Sequence, residues 1–410
     1  MLLLIAVVAA TAALFSWGYM ERMSHAGGRI WFYYGNFNLF AFSMLAIPVL
    51  VEPTLVWIFV ELTTLCSAML VGYENTRAAL EAAWKYVTLS LMGAAIALFG
   101  FLVLFSAMQA AGGEVYTWEG LVIAAPRMPP VLLQTAFLLI LVGFGTKVGL
   151  VPLHTWLPDA HSQAPSPVCA ILSGVETTSI LYVILRMLPI VNAAPGLHAE
   201  RWVVAFGLVS VGTAAFLLLQ VRDYKRMFAY STVEHMGIIL MAAGLGSATA
   251  HYAALYQALT HTLTKSFCFY AAGAALLASG TREIRAVQGL LRRSPVAGAS
   301  VLLGGLAIAG APPFAVFLSE FSIFRTGLTQ GSYVAVAALV LFIAIGFFAL
   351  MSHVNRMVFG KAHGAPTTAG LPATCTSALV VAAVLVVASG LYLPAPLHDL
   401  LSRAAATLGR

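Results

Sequence analysis

The chain has 410 residues, 21 Lys and Arg against 15 Asp and Glu and a formal net charge of +6, yet only 9% of its residues are charged and 61% are hydrophobic. A water-soluble chain of this length carries about a quarter charged residues and divides into two or three domains. The composition excludes a soluble enzyme, and the placement of the basic residues reads as membrane orientation, not nucleic-acid binding.

Apolar residues come in blocks of about 20, the length a helix needs to cross roughly 30 Å of hydrocarbon. Met1 to Met20 lacks a basic start and a small-residue cleavage site, so it reads as a first span, not a signal peptide. About twelve spans succeed one another, near 1–20, 31–51, 53–73, 83–109, 131–157, 164–190, 201–220, 227–246, 250–279, 295–327, 331–357 and 374–394. The stretch Gln109 to Pro130 reads as a short Gly- and Pro-containing connection. One side carries Arg22, Arg29, Arg77, Arg222, Lys225, Arg226, Arg282, Arg285, Arg292, Arg293, Arg356 and Lys361; the other carries Arg127, Arg201, Arg403 and Arg410. That asymmetry predicts an inner-membrane protein with basic loops in the cytoplasm and both termini outside. The four cysteines, Cys66, Cys169, Cys268 and Cys375, show neither metal spacing nor a disulfide framework and read as packing residues.

Two spans are interrupted. The fifth contains Gly149 and Pro152 and runs into a polar stretch from His154 to His161, and the tenth contains Gly310-Ala311-Pro312-Pro313. Proline removes a backbone donor, and lipid tolerates such a break only where protein or a water-filled cavity satisfies the freed groups. Broken helices five spans apart predict two five-helix repeats, inverted because each has an odd number of spans. The expected organisation is one membrane domain: a peripheral first span within 1–30, a first bundle over about 31–190, a second over about 201–358, and a last span and tail over 374–410.

The charges inside the spans carry the functional signal. Glu61, Lys147, Glu176, Lys265 and Glu320 lie deep, whereas Arg186 and Arg325 lie near span ends, from which long side chains snorkel to the interface. Burial pulls amine and carboxyl pKa values toward neutrality, which suits proton relay. Gln257, His261 and Lys265 recur every four residues and share one helix face. Glu234 and His235 either join the relay or cap a helix near the surface, and His353 reads as interfacial. His154, Asp159 and His161 fit a polar bend at the membrane surface better than a metal site. No phosphate loop, Cys-x-x-Cys pair or dinucleotide fingerprint is found, so any redox chemistry belongs to a partner.

The strings Gly145-Thr-Lys147-Val-Gly-Leu-Val-Pro152-Leu-His154-Thr-Trp-Leu-Pro158-Asp159-Ala-His161-Ser-Gln-Ala-Pro165 and Asp223-Tyr-Lys225-Arg226-Met-Phe-Ala-Tyr230-Ser-Thr-Val-Glu234-His235-Met-Gly237 resemble the antiporter-like subunits of respiratory complex I and its relatives. Glu234 to Gly237, His261 to Ser266, and Gly310 to Phe314 followed by Ser319-Glu320-Phe321 are most similar to hydrogenase-4 component F. The resemblance implies two inverted five-helix bundles, each with a discontinuous helix. It implies a relay of Glu61, Lys147, His261, Lys265 and Glu320, with Lys225, Glu234, His235 and Gln257 as further candidates and Pro152, Pro312 and Pro313 as the helix breaks. Relatives usually have about 14 spans with the key glutamate on the fifth; here Glu61 is on the third, as if the first two were missing. Many relatives also carry a lysine about where Thr178 stands, and this chain has Glu176 two positions earlier. Either the relay between Lys147 and His261 is interrupted, or part of it passes to Glu176.

The resemblance implies a proton-translocating membrane subunit of a complex I-like or group 4 hydrogenase-type assembly. It would bind no cofactor itself; Fe–S centres, joined by a Ni–Fe centre in a hydrogenase, would sit in peripheral redox subunits. The alternatives are a multisubunit Na⁺/H⁺ antiporter subunit, the membrane half of an inorganic-carbon uptake complex, and a scaffold whose channel is dead.

Overall fold

The computed structural model describes residues 1–23, 29–361 and 370–409; Arg410, of the less basic set, lies outside them. In chain order the helices are α1 (Leu2–Met23), α2 (Ile30–Ala46), α3 (Pro53–Val71), α4 (Arg77–Ala110), α5 (Trp118–Ala124), α6 (Pro130–Val148), α7 (Trp156–Gln163), α8 (Ser166–Ile171), α9 (Thr177–Leu185), α10 (Leu188–Asn192), α11 (Ala199–Leu218), α12 (Tyr224–Ala243), α13 (Ala248–Ser279), α14 (Leu290–Arg293), α15 (Pro295–Ile308), α16 (Ala315–Thr329), α17 (Tyr333–Phe359), α18 (Ala373–Leu391) and α19 (Ala395–Leu408). A π-helical stretch, Leu172–Glu176, joins α8 to α9.

Local chemistry sets many of these ends. Proline at the first turn starts α3, α6 and α15, where a missing N–H costs nothing. Thr76, Asp223 and Ser247 cap α4, α12 and α13 by accepting from backbone N–H groups of the first turn. Helix α6 stops at Gly149, whose φ of 84° lies in the left-handed region that glycine enters without penalty.

All twelve expected spans are helical, and eight are both long and apolar enough to cross a membrane: α1, α3, α4, α6, the run Ser166–Asn192, α11, α17 and α18. The other four depart for visible reasons. Helix α2 has 17 residues, α12 carries Lys225, Arg226 and Glu234, α13 carries His251, Gln257, His261 and Lys265, and the tenth span is split into α15 and α16. The connection from 109 to 130 holds the short helix α5, and the expected tail contains α19.

The protein is an all-helical polytopic membrane protein built from two five-helix repeats. We propose that the first comprises α2, α3, α4, the broken pair α6/α7 and the run from α8 to α10, and the second α11, α12, α13, the broken pair α15/α16 and α17. The third member of each repeat is its longest helix, 34 residues in α4 and 32 in α13, and packs against both halves of the broken helix. In the first repeat that packing is backbone to backbone: a Cβ on Gly93 would lie 2.6 Å from the Gly143 carbonyl. Lipid supplies no hydrophobic drive between helices, so this close approach of small residues is what holds them together. Outside the repeats, α1 packs on α18, with Gly18 N–H donating to Thr374 Oγ1 at 3.0 Å, and reaches α13, where Phe15 stacks on Tyr270.

A buried polar chain across the two repeats

Lys147 sits in the last turn of α6, where the exposed carbonyls of a helix end favour a cation. Its ammonium is 1% exposed, lies 3.5 Å from Glu61 Oε1, and donates to the Val60 carbonyl at 2.6 Å, to Thr63 Oγ1 at 3.4 Å and to Thr64 Oγ1. Helix α3 thus presents Glu61 and two hydroxyls to one lysine, as consecutive turns of a helix can. Thr63 in turn has two acceptors for its single proton, the Val60 carbonyl and Glu176 Oε1, both at 2.7 Å. Glu176 Oε1 also accepts from Tyr86 of α4 at 3.1 Å, and Ser67 lies 2.7 Å from that phenol. The helix break is satisfied locally: the Trp156 indole donates to the Thr146 carbonyl at 2.7 Å, and Val151 N–H donates to Ser210 at 3.0 Å.

Glu176 closes the π-helical stretch. A π turn inserts one residue into the helix and re-aims the side chains beyond it, a feature frequent at functional sites. One turn earlier on the same stretch, Ser173 lies 2.6 Å from the Thr232 hydroxyl, and its carbonyl accepts from His261 Nε2 at 3.4 Å. The stretch therefore faces the first repeat through Glu176 and the second through Ser173.

In the second repeat the rings of His261 and His235 lie 5.4 Å apart. His235 Nε2 donates at 3.0 Å to the carbonyl of Ile308, the last residue before the second break, and its Nδ1 accepts from Gln257 at 2.9 Å. Gln257 Oε1 accepts from Ser319, the neighbour of Glu320. Lys265 shares a helix with His261 but does not bond to it; its ammonium turns to α12, donating to the Phe228 carbonyl at 2.6 Å and to Ser231. Glu320 packs against Gly310 at the break, and Glu234 against Gly346 of α17. Among the described residues neither carboxylate makes a hydrogen bond or ion pair. Pro152 and Pro312–Pro313 stand in the two breaks, between α6 and α7 and between α15 and α16.

Two sequence readings are placed differently, those of Lys225 and His161. Lys225 donates to the Ala164 carbonyl at the end of α7 and joins no other member of the chain. The polar bend divides: Asp159 is at the surface, bonded to Arg226 at 2.6 Å and Lys85 at 3.3 Å, whereas His161 is fully buried, stacked on Phe269, with neither ring nitrogen hydrogen-bonded. The four cysteines are buried and unpaired. Among the described residues no group of three or more His, Cys, Asp or Glu could hold a metal. Sequence reading missed Thr63, Tyr86, Ser173 and Ser319. Hydroxyls are common in membrane helices; Thr63, two residues from Glu61, and Ser319, next to Glu320, carried a signal.

The profile of a family described as NADH:quinone oxidoreductase/Mrp antiporter, transmembrane, matches residues 52–346. The chain is 38% identical over 363 residues to the hydrogenase-4 component F homolog of Methylacidiphilum infernorum, covering 86% of this chain and 76% of that one. It superposes on a chain of the membrane-bound sulfane sulfur reductase, an archaeal respiratory membrane complex, with a TM-score of 0.88 at 25% identity, covering 100% of this chain and 81% of that one. A chain of the Mrp complex from Dietzia sp. DQ12-45-1b gives 0.86 at 19% identity, covering 99% and 82%.

Proposed function

The chain belongs to the NADH:quinone oxidoreductase/Mrp antiporter transmembrane family, and we propose that it is the proton-translocating membrane subunit of a redox-driven assembly of the complex I or membrane-bound hydrogenase type. The observation that carries this reading is the placement of the Lys147 ammonium between Glu61, at 3.5 Å, and the hydroxyl that hydrogen-bonds Glu176. A buried charge costs several kcal/mol unless paired, so a lysine with two carboxylates in reach has alternative partners. When Glu61 is neutralised or moves away, Lys147 loses its nearer counter-charge. Its proton then passes to Thr63 as the Thr63 proton passes to Glu176, leaving a neutral amine and a neutral carboxyl.

From the π-helical stretch the path continues to His261 and His235, the latter held in place by Gln257 and Ser319, and from there across water to Glu320. Glu176 Oε2 and His261 Nδ1 are buried polar atoms without a protein partner, and water is the group that would satisfy both and carry a proton between them. Lys265, held by the Phe228 carbonyl and Ser231, and Glu234 lie off this path. On this reading the basic loops face the cytoplasm, electron transfer takes place at Fe–S centres of partner subunits, and this chain touches no electron. The family's Na⁺/H⁺ antiporter branch is the second reading, supported by a family description that names the Mrp antiporter.

One experiment separates them. Sealed vesicles holding the native complex should acidify on adding an electron donor and show no exchange when a Na⁺ gradient alone is imposed. Exchange driven by Na⁺ without a donor would replace the first reading by the second.

A further inference from the structure

Helix α19 has 14 residues, about 21 Å at the helical rise, too short to cross the hydrocarbon. It is amphipathic: Leu401, Ala405 and Leu408 are buried, and the helix packs on α10 and on α13. Such a helix lies along the membrane surface with its polar residues toward headgroups. Between α19, the start of α13 and α16 it leaves a crevice of about 600 Å³ lined by Tyr252, Ser322, Arg325, Thr326, His398 and Ser402, with further small and hydroxyl residues and no carboxylate.

The crevice holds a cation without a counter-charge. Arg186, the other arginine near a span end, is occupied: it donates to Tyr182 at 3.1 Å and lies over the Trp118 ring at 5.1 Å. Arg325 makes no hydrogen bond or ion pair among the described residues, and it borders the crevice. Opposite it, Tyr252 OH and His398 Nδ1 are 2.7 Å apart, a brace that holds the imidazole across the opening and leaves Nε2 for a ligand. A guanidinium, an imidazole and several hydroxyls around one cavity form a donor set for a phosphate oxygen cluster. On the same face of α16 as Arg325, which sits between the last two, Leu318, Phe321 and Leu328 are exposed three and seven residues apart. The polar cavity thus opens beside an apolar stripe, which is the shape of a headgroup with its acyl chains.

We propose that this crevice binds the phosphate of an anionic phospholipid, with Arg325 and His398 on the phosphate and the acyl chains along Leu318, Phe321 and Leu328. Inorganic phosphate shares the headgroup chemistry but cannot use the stripe. The test is native mass spectrometry of the purified complex, delipidated and then titrated with phosphatidylglycerol, phosphatidylcholine or inorganic phosphate. Wild type should bind one phosphatidylglycerol on this subunit roughly fivefold more tightly than Arg325→Gln, from the loss of one cation near the surface. His398→Gln, a milder change at the exposed end of the brace, should weaken it in the same direction. Phosphatidylcholine, whose own ammonium offsets the phosphate charge, should bind wild type more weakly than phosphatidylglycerol does, and inorganic phosphate should not displace the lipid. Equal phosphatidylglycerol binding by wild type and both variants overturns the proposal. So does displacement by inorganic phosphate, which would assign the crevice to the free ion.

Discussion

Replacing Thr63 by valine removes a single hydroxyl from the junction between Lys147 and Glu176 and keeps the side-chain shape. Three bonds disappear: the acceptor for Lys147 at 3.4 Å and the donors to Glu176 and the Val60 carbonyl at 2.7 Å. None of the partners is orphaned, because Val60 O still receives Lys147, Glu176 Oε1 still receives Tyr86, and Lys147 keeps Thr64. The stability loss should therefore not exceed the value of the lost bonds themselves. The lost bond to an ionisable acceptor corresponds to about 1.5–3 kcal/mol. If proton passage through Thr63 limits turnover, that is a slowing of roughly ten- to hundredfold. The assay is donor-driven acidification in vesicles with complex content fixed by native gel. Thr63→Ser should pump nearly as wild type, and Thr63→Val combined with Glu176→Gln should be no slower than the worse single variant, because both cut the same link. Pumping by Thr63→Val at the wild-type rate would refute the link.

Neighbouring contacts give further expected outcomes. Gly310→Ala places a methyl group against the Glu320 carboxylate at a φ of 74°, where a side chain costs about 1–2 kcal/mol; pumping should fall with the complex assembled, and normal pumping would separate Glu320 from the path. Gly143→Val forces α4 from α6 against the Gly93 carbonyl, an overpacking cost of about 1–3 kcal/mol that should lower the thermal midpoint of the subunit; an unchanged midpoint would refute the close approach. Gln257→Leu cuts the bonds to His235 and Ser319 while His235 keeps the Ile308 carbonyl, so acidification should slow without loss of the subunit on native gels.

The spans, the breaks and the charged members of the chain were legible because lipid penalises each of them: an ionisable residue or a proline within twenty apolar residues has to be explained. Glu176 was readable as a charge, but its connection was not. That depends on the π turn Leu172–Glu176, which has no residue signature, and on Thr63, which looks like any threonine facing a neighbouring helix. Helical spacing placed His261 and Lys265 on one face, yet could not say that a flexible lysine would turn to the Phe228 carbonyl while the ring met His235. The burial of Lys225 and His161 was hidden for a similar reason. Lys225 lies at a basic loop and His161 in a polar bend in sequence, and the packing of α7 against α12, with Phe269 of α13 stacked on His161, buries them. Helix α19 was missed because its apolar residues are too few and too spaced to register as a span.

The most direct test of the relay is Lys147→Ala in the native complex, measured by donor-driven proton pumping in sealed vesicles alongside assembly on a native gel. The relay predicts that pumping collapses while the complex remains intact. An assembled Lys147→Ala complex that pumps like wild type would contradict it and leave this chain a scaffold.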